Sequence, residues 1–404
     1  MKIRSITVFC APGYPVNRLL LQHLGIFANH AHALFTQEGF EVETLRLALP
    51  PFSNFVDPRY LKNIAQKLYI EAHAEGFEYL SLGPAQTYNL ETYQRIPEAL
   101  AVSHDVFFSG MLTTPQGAVS LPAAKACAQI IEQLAALSPD GFANLNFCAS
   151  ANVPSYAPFF PAAYAENAAP AFALAMEAAD LAVQVFSSAR SLEEARSILV
   201  SEVENAAGKL EAAAQKLSRI YGYTFKGLDF TLAPFPEENA SIARALESLG
   251  LPAFGLAGSV FASAFLTDTL DRARYTRTGF NGLMLPVLED SGLAQRAAEG
   301  SLSATDLLLC SAVCGTGLDV IPLPGDTSAE QLYPLLLDVA ALALRLNKPL
   351  TARLMPIPGK KAGDPTEFNF PYFANSRVMP LRAEKVTGLL AGLENVPISA
   401  RYPR

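Results

Sequence analysis

Charge is scarce in this chain. Only 17% of its 404 residues are Asp, Glu, Lys or Arg, against about 25% in a typical soluble domain. Runs of Lys or Arg never exceed two, and the formal charge is −8, which argues against a nucleic acid or an anionic membrane surface as partner. Five cysteines (Cys10, Cys127, Cys148, Cys310, Cys314) are too few for a disulfide framework, and their odd number points to reduced thiols in a cytoplasm. Histidine stops at His104, so a histidine base must come from the first third. The start, Met1 to Phe9, turns polar too soon for a signal peptide. Two uncharged stretches, 141–165 and 248–267, are broken by Pro154, Pro158 and Pro161 and by Pro252, Gly255 and Gly258. A spanning helix needs about 20 predominantly apolar residues, so neither qualifies. Hydrophobic residues make up 50% of the chain, enough apolar surface to offset chain entropy and to exclude disorder.

What is present is alternation. β-rich runs at Ile3–Phe9, Val42–Leu47, Phe77–Leu82 and Val106–Phe108 are separated by helical patterns at Asn17–Glu38, Asp57–Glu75 and Leu90–Val102. Pro115–Leu137 is Ala-rich and leads into Phe142–Ala149. The middle reads as helix over Pro170–Phe186 and again from the capping box Ser191–Glu194 to about Ile220. Strands are expected at Gly227–Leu232, Leu283–Leu288, Leu318–Pro322 and Leu350–Pro356. Helices are expected at Ser241–Leu249, Ser259–Asp271, Ala304–Leu309, Ser328–Leu346 and Leu381–Leu393. No linker, charge run or internal repeat divides the chain. The expectation is one α/β domain over 1–404, a large barrel of about ten strands or a doubly wound sheet, with a helical segment 170–220 inserted. The Ala-rich helices also suit a homo-oligomer.

In parallel α/β folds polar groups beyond strand ends make the site. Asp319 leads an otherwise apolar strand, where a carboxylate must be solvated, paired or used. Asp326 follows Pro324-Gly325 before a helix and either caps it or joins the site. Glu289 and Asp290 close the strand Leu283–Leu288; they either answer the dipole of the next helix or act as acids. Asp229 precedes the Ala233-Pro234 turn. Such carboxylates could converge to hold a divalent cation on oxygen ligands or to divide into acid and base. Cys314, beside Gly315 and Gly317, is the better thiol nucleophile, although nothing near it in sequence lowers its pKa. Cys310 and Cys314 lack the second pair a zinc site requires. Asn152, Asn281 and Thr316 sit on Gly/Pro-rich turns and would orient a substrate, or serve their own turns. Lys360 and Lys361, flanked by glycines after a strand carrying Arg353, could meet an anion. There is no nicotinamide, flavin or Fe–S signature, and the lysine pair is not a Walker loop.

Four ordered stretches carry a resemblance: Ile3-Arg4-Ser5-Ile6-Thr7-Val8, Thr278 to Asp290, Val313 to Thr327, and Met355 to Asp364. Asn152-Val153-Pro154 with Pro158 to Tyr164 completes the set. Over nearly the whole chain it resembles the uncharacterised bacterial and archaeal family known as domain of unknown function 711. The resemblance implies a ten-strand barrel related in fold to pyruvate formate-lyase and other glycyl radical enzymes, with Cys314 at a barrel-centre position, and no agreed activity. Lys385-Val386-Thr387-Gly388-Leu389 lacks the arginine and aromatic of a glycyl radical loop, so radical chemistry is not expected. Carboxylate-based hydrolase or lyase chemistry on a small sugar-like or anionic metabolite is. A glycoside hydrolase with a carboxylate pair and a non-catalytic metabolite sensor are the alternatives.

Overall fold

The computed structural model describes residues 1–313 and 315–401. Eleven strands appear among them: β1 (Lys2–Phe9), β2 (Leu45–Ala48), β3 (Tyr79–Ala85), β4 (Val106–Met111), β5 (Ala118–Ser120), β6 (Phe147–Ala151), β7 (Ala171–Glu177), β8 (Thr224–Ala233), β9 (Gly317–Pro324), β10 (Leu350–Ile357) and β11 (Asn395–Pro397). Nine form one sheet in the order β8-β7-β1-β2-β3-β4-β6-β10-β9, while β5 and β11 pair separately. Within the large sheet β1, β2, β3, β4 and β6 run parallel to one another. The pairs β7–β8 and β9–β10 are also parallel, and antiparallel seams at β1/β7 and β6/β10 join them to the first set.

The α/β class is as the sequence suggests. The ladder itself does not close into a ring, since the sheet ends at β8 and β9. Between those edges lies the expected strand Leu283–Leu288, which is no regular strand. It makes one parallel bridge, Pro286 to Asp319 on β9, and the residues before it make another, Arg277 to Leu228 on β8. Pro286 has no N–H to donate, and Gly279 turns the chain at a φ of 75°, so this segment cannot sustain a ladder.

Alternation along the strands separates two faces. Ile6 and Val8, Leu45 and Leu47, Val106 and Phe108, Phe172 and Leu174, and Ala352 and Leu354 turn outward into the main apolar cluster under the helices. Burial of each large side chain there contributes about 1.5–3 kcal/mol. The opposite face carries Ser5, Thr7, Ser81, Ser109, Cys148, Asp229, Asp319 and Arg353, all buried. The sheet curls around that polar face. Arg4 on β1 and Arg353 on β10, five strands apart in the order, both bond the Glu289 carboxylate.

Two helical expectations fail. Residues 171–177 form β7 rather than the start of a helix, and the helix begins at Ala179. Alanine prefers helix, but Phe172 packs on Phe27 and Phe225 and the backbone pairs with β1 and β8, so tertiary contacts override propensity. Leu381–Leu393 holds only a 3-10 turn, Gly388–Ala391. Leu381 packs on the main core, but Leu389, Leu390 and Leu393 are exposed, Leu389 by 90%, and Lys125 donates to the Ala391 and Gly392 carbonyls. The helix Leu192–Tyr221 forms as expected: Ser191 accepts from the Glu194 N–H, and Gly222 ends it in the left-handed region. Among the described residues no helix is long and apolar enough to cross a membrane.

Candidate functional site

The polar face encloses a cavity of about 110 Å³. Its lining interleaves charged side chains, Arg4, Glu43, Arg46, Asp229, Glu289 and Arg353, with aromatic ones that include Tyr79, Phe107, Phe159 and Phe160.

Backbone irregularity places two of the charges. On β9, Asp319 and Val320 together oppose the single residue Arg353 of β10, and on β1 Arg4 is the extra residue against β7. Such bulges re-aim a side chain within a strand. Val320 takes a φ of 40°, a strained geometry for a β-branched residue. The bulges bring four side chains into one ion-pair chain. Arg4 Nη2 donates to Glu289 Oε2 at 2.6 Å, Arg353 Nη2 to Glu289 Oε1 at 2.8 Å, and Arg353 Nε to Asp319 Oδ1 at 2.5 Å.

The two carboxylates respond differently. Burial pushes Glu289 upward, but the Arg353 and Arg4 guanidinia outweigh it and hold Glu289 below the usual glutamate range. Burial also pushes Asp319 up and the Glu289 charge adds to it, and Arg353 and Arg4 together do not offset them. Its Oδ2 has no hydrogen-bond partner among the described residues. Glu289 is bonded by two guanidinia and Asp319 by one, and the Glu289 charge works against Asp319, which accounts for the difference.

A second acidic pair lies beyond Arg4. The Glu177 carboxyl on β7 is buried, 3.7 Å from Arg4 Nη1, and lies close enough to the Glu43 carboxyl to feel its charge. Burial pushes Glu177 up, Arg4 draws it back only in part, and Glu43 adds like charge, leaving it at about 8. Glu177 therefore keeps its proton at neutral pH.

Arg46 has no such company. Its Nε donates to Thr44 Oγ1 at 2.8 Å, and its guanidinium lies 5.3 Å from the Tyr79 ring centroid and 5.2 Å from that of Phe160. Burial and the nearby Arg4 push it down to about 10, so it stays charged at neutral pH.

Of the residues singled out from sequence, Glu289, Asp319 and Arg353 meet in the ion-pair chain, and Asp229 lines the same cavity. Asp229 accepts from the N–H groups of Thr231, Phe280 and Asn281 and from the Thr231 hydroxyl; burial nevertheless pushes it up. A Cβ on Gly279 would lie 2.1 Å from Asp229 Oδ2, so this turn requires glycine. Asn281 braces the turn, accepting from Phe230 N–H and Tyr275 hydroxyl. The family segments converge here: Phe159 packs on Phe280 and beneath Arg353.

The remaining candidates lie elsewhere. Asn152 and Asp326 are exposed, and the helix after Asp326 is capped by Ser328. Thr316 is buried and bonds the Leu283 carbonyl. Lys360 pairs with Glu367 and Lys361 is exposed, both off the cavity. Cys314 lies outside the described residues. Among those described, no group of three or more His, Cys, Asp or Glu is placed to hold a metal ion.

Asp290 turns away from the cavity. It caps the helix Ser291–Glu299 through Leu293 N–H and accepts from Ser241 Oγ and Ile242 N–H. Asp290→Ala should cost about 2–3 kcal/mol in urea unfolding, since a cap is lost and two buried donors are orphaned, while ligand binding in the cavity should not change.

Sequence reasoning missed Arg4, Arg46, Glu43 and Glu177. Three of them carried a signal, a lone charge inside a short apolar strand: Ile3-Arg4-Ser5-Ile6, Leu45-Arg46-Leu47 and Leu174-Ala175-Met176-Glu177.

The family described as Uncharacterised ACR (DUF711) matches residues 1–372. A UPF0210 protein of Pyrobaculum aerophilum is 33% identical over 347 residues, 81% of this chain and 76% of its own. One from Methanosarcina barkeri is 31% identical over 317 residues, 76% and 70%, and one from Lactobacillus delbrueckii subsp. bulgaricus 27% over 379, 89% and 84%. With the family's pattern running through every strand of the large sheet, the chain belongs to the DUF711 (UPF0210) family.

Proposed function

We propose that this protein is an enzyme of the hydrolase or lyase type, acting on a small polar metabolite in the cavity inside the curled sheet. The observation that carries the proposal is the Glu43–Glu177 pair. Glu43 lines the cavity, and Glu177 behind it stays protonated at neutral pH, so the pair can both give and take a proton there. Arg4 holds Glu177 in place. Asp319 and Glu289 are engaged by arginines and in this reading set the wall and its field. The space between those two is filled by the Arg353 guanidinium, which disfavours them as a glycosidase pair. The architecture is read as a barrel of ten members, five parallel to each side of the antiparallel seams, with 276–289 as the irregular tenth. Its kinship with pyruvate formate-lyase belongs to the same proposal.

The test is direct. The protein is incubated with a small-molecule extract and with Glu43→Gln as control, and mass spectrometry follows both. A substrate–product pair that changes with wild type and not with Glu43→Gln supports the enzyme. Ligand binding without conversion in either sample would replace it with the sensor reading, which the same cavity serves.

A further inference from the structure

Arg46 forms no ion pair among the described residues. Glu78 accepts from Leu45 N–H at 3.2 Å, Glu43 lies against Glu177, and although Glu43 and Glu78 favour the Arg46 charge, Arg4 beside it adds like charge. Thr44 holds the Nε side and passes its own hydroxyl proton to the Arg4 carbonyl at 2.7 Å. That leaves the two terminal nitrogens, which bond no protein atom among the described residues, as a two-point fork. Such a fork matches one carboxylate. The guanidinium is half-buried and borders the cavity.

The rest of the wall near Arg46 is apolar. Tyr79 and Phe160 flank the guanidinium, and Phe107 packs against both rings. At about 110 Å³ the cavity has room for about four waters' worth of volume. We propose that it binds a small carboxylate of about three to five carbons, its carboxylate on Arg46 and its hydrocarbon against Phe107 and Phe160. This deepens the enzyme reading by naming the substrate class, and it rests on that reading for any chemistry that follows. Glu43 lines the same cavity, and the proton that burial keeps on Glu177 limits the negative charge near the ligand.

Isothermal titration of the whole chain with straight-chain carboxylates from acetate to octanoate, and with inorganic phosphate, tests the assignment. Affinity should rise about fourfold per methylene up to three to five carbons and fall beyond. Arg46→Met should weaken the best ligand by about tenfold or more. The ligand-free variant should melt within a few degrees of wild type, because the change removes a half-buried cation and breaks no ion pair; that result separates lost recognition from lost folding. Arg46→Lys, with one point charge for a fork, should fall between. Phosphate binding more tightly than every carboxylate would overturn the proposal, as would affinity independent of chain length or unchanged in Arg46→Met. Turnover of a metabolite lacking a carboxylate would overturn it and leave the enzyme standing. Carboxylate binding lost in Arg46→Met, with no metabolite converted, would support this ligand class and remove the enzyme.

Discussion

Arg353→Met should destabilise the protein by about 3–5 kcal/mol at pH 7. The guanidinium sits between Glu289 and Asp319, both almost wholly buried. Without it Glu289 keeps only Arg4, and Asp319 keeps no cation bonded to it. Two carboxylates facing one another in a dry interior must then protonate or draw in water. The pH dependence carries the sign. In the variant both acids titrate above their unfolded values, so folding stability is fully present at low pH and is lost as pH rises through the raised values. In wild type Glu289 is depressed, and its contribution is instead present above the unfolded value and lost on acidification. The gap between the two proteins should therefore narrow steadily from pH 7 to pH 5, as urea midpoints will read. Asp319→Asn should cost less, since Asp319 is already raised and has one oxygen unpartnered. A loss below about 1 kcal/mol in Arg353→Met would mean that the ion-pair chain is hydrated like a surface pair.

The same arginine shows how far the sequence could be read. Arg353 follows Ala352 in a strand found within a residue of its bounds, and its charge among apolar neighbours marked the position. Its partners were legible only in part. Asp319 stood out as an acid in an apolar strand, and Glu289 as the end of one. What no pattern of period two could supply was the pair of bulges. Each inserts one residue, so Arg4 and Asp319 leave the alternation that would assign their face. Curvature was equally hidden: strands five apart in the order meet across Glu289 only because the sheet rolls. The Ala-rich stretch 171–177 misled for the opposite reason. Its local preference is helical, and only the neighbouring strands make it β7. Polar turns such as Asn152 and Asp326 were attractive because of their Gly and Pro neighbours, and those neighbours were serving the turns themselves.

Glu177→Gln tests the part of the site no motif announced. Glu177 is raised to about 8 by burial and by Glu43, against about 4.3 for an unperturbed glutamate. A raised acid contributes stability that is fully present below its unfolded value and is lost as pH rises through the folded one. Wild type should thus lose roughly 2–4 kcal/mol between pH 5 and pH 9 from this site, a range set below the full linkage because water and nearby dipoles relax around the newly formed charge. Glutamine carries no charge at any pH and can donate to Glu43 from its amide, so the variant should be nearly flat over the same window and the more stable of the two at pH 9. Its effect on turnover should be about 10²-fold or more, since Glu43 would have lost its protonated neighbour. A purely structural Glu177 would lower activity without moving the pH profile. A positioning Glu177 should shift it, removing the limb near pH 8 while leaving carboxylate binding at Arg46 within about twofold. A variant whose stability still falls from pH 5 to pH 9 would place the titrating group elsewhere, and the acid–base reading of the cavity would fall with it.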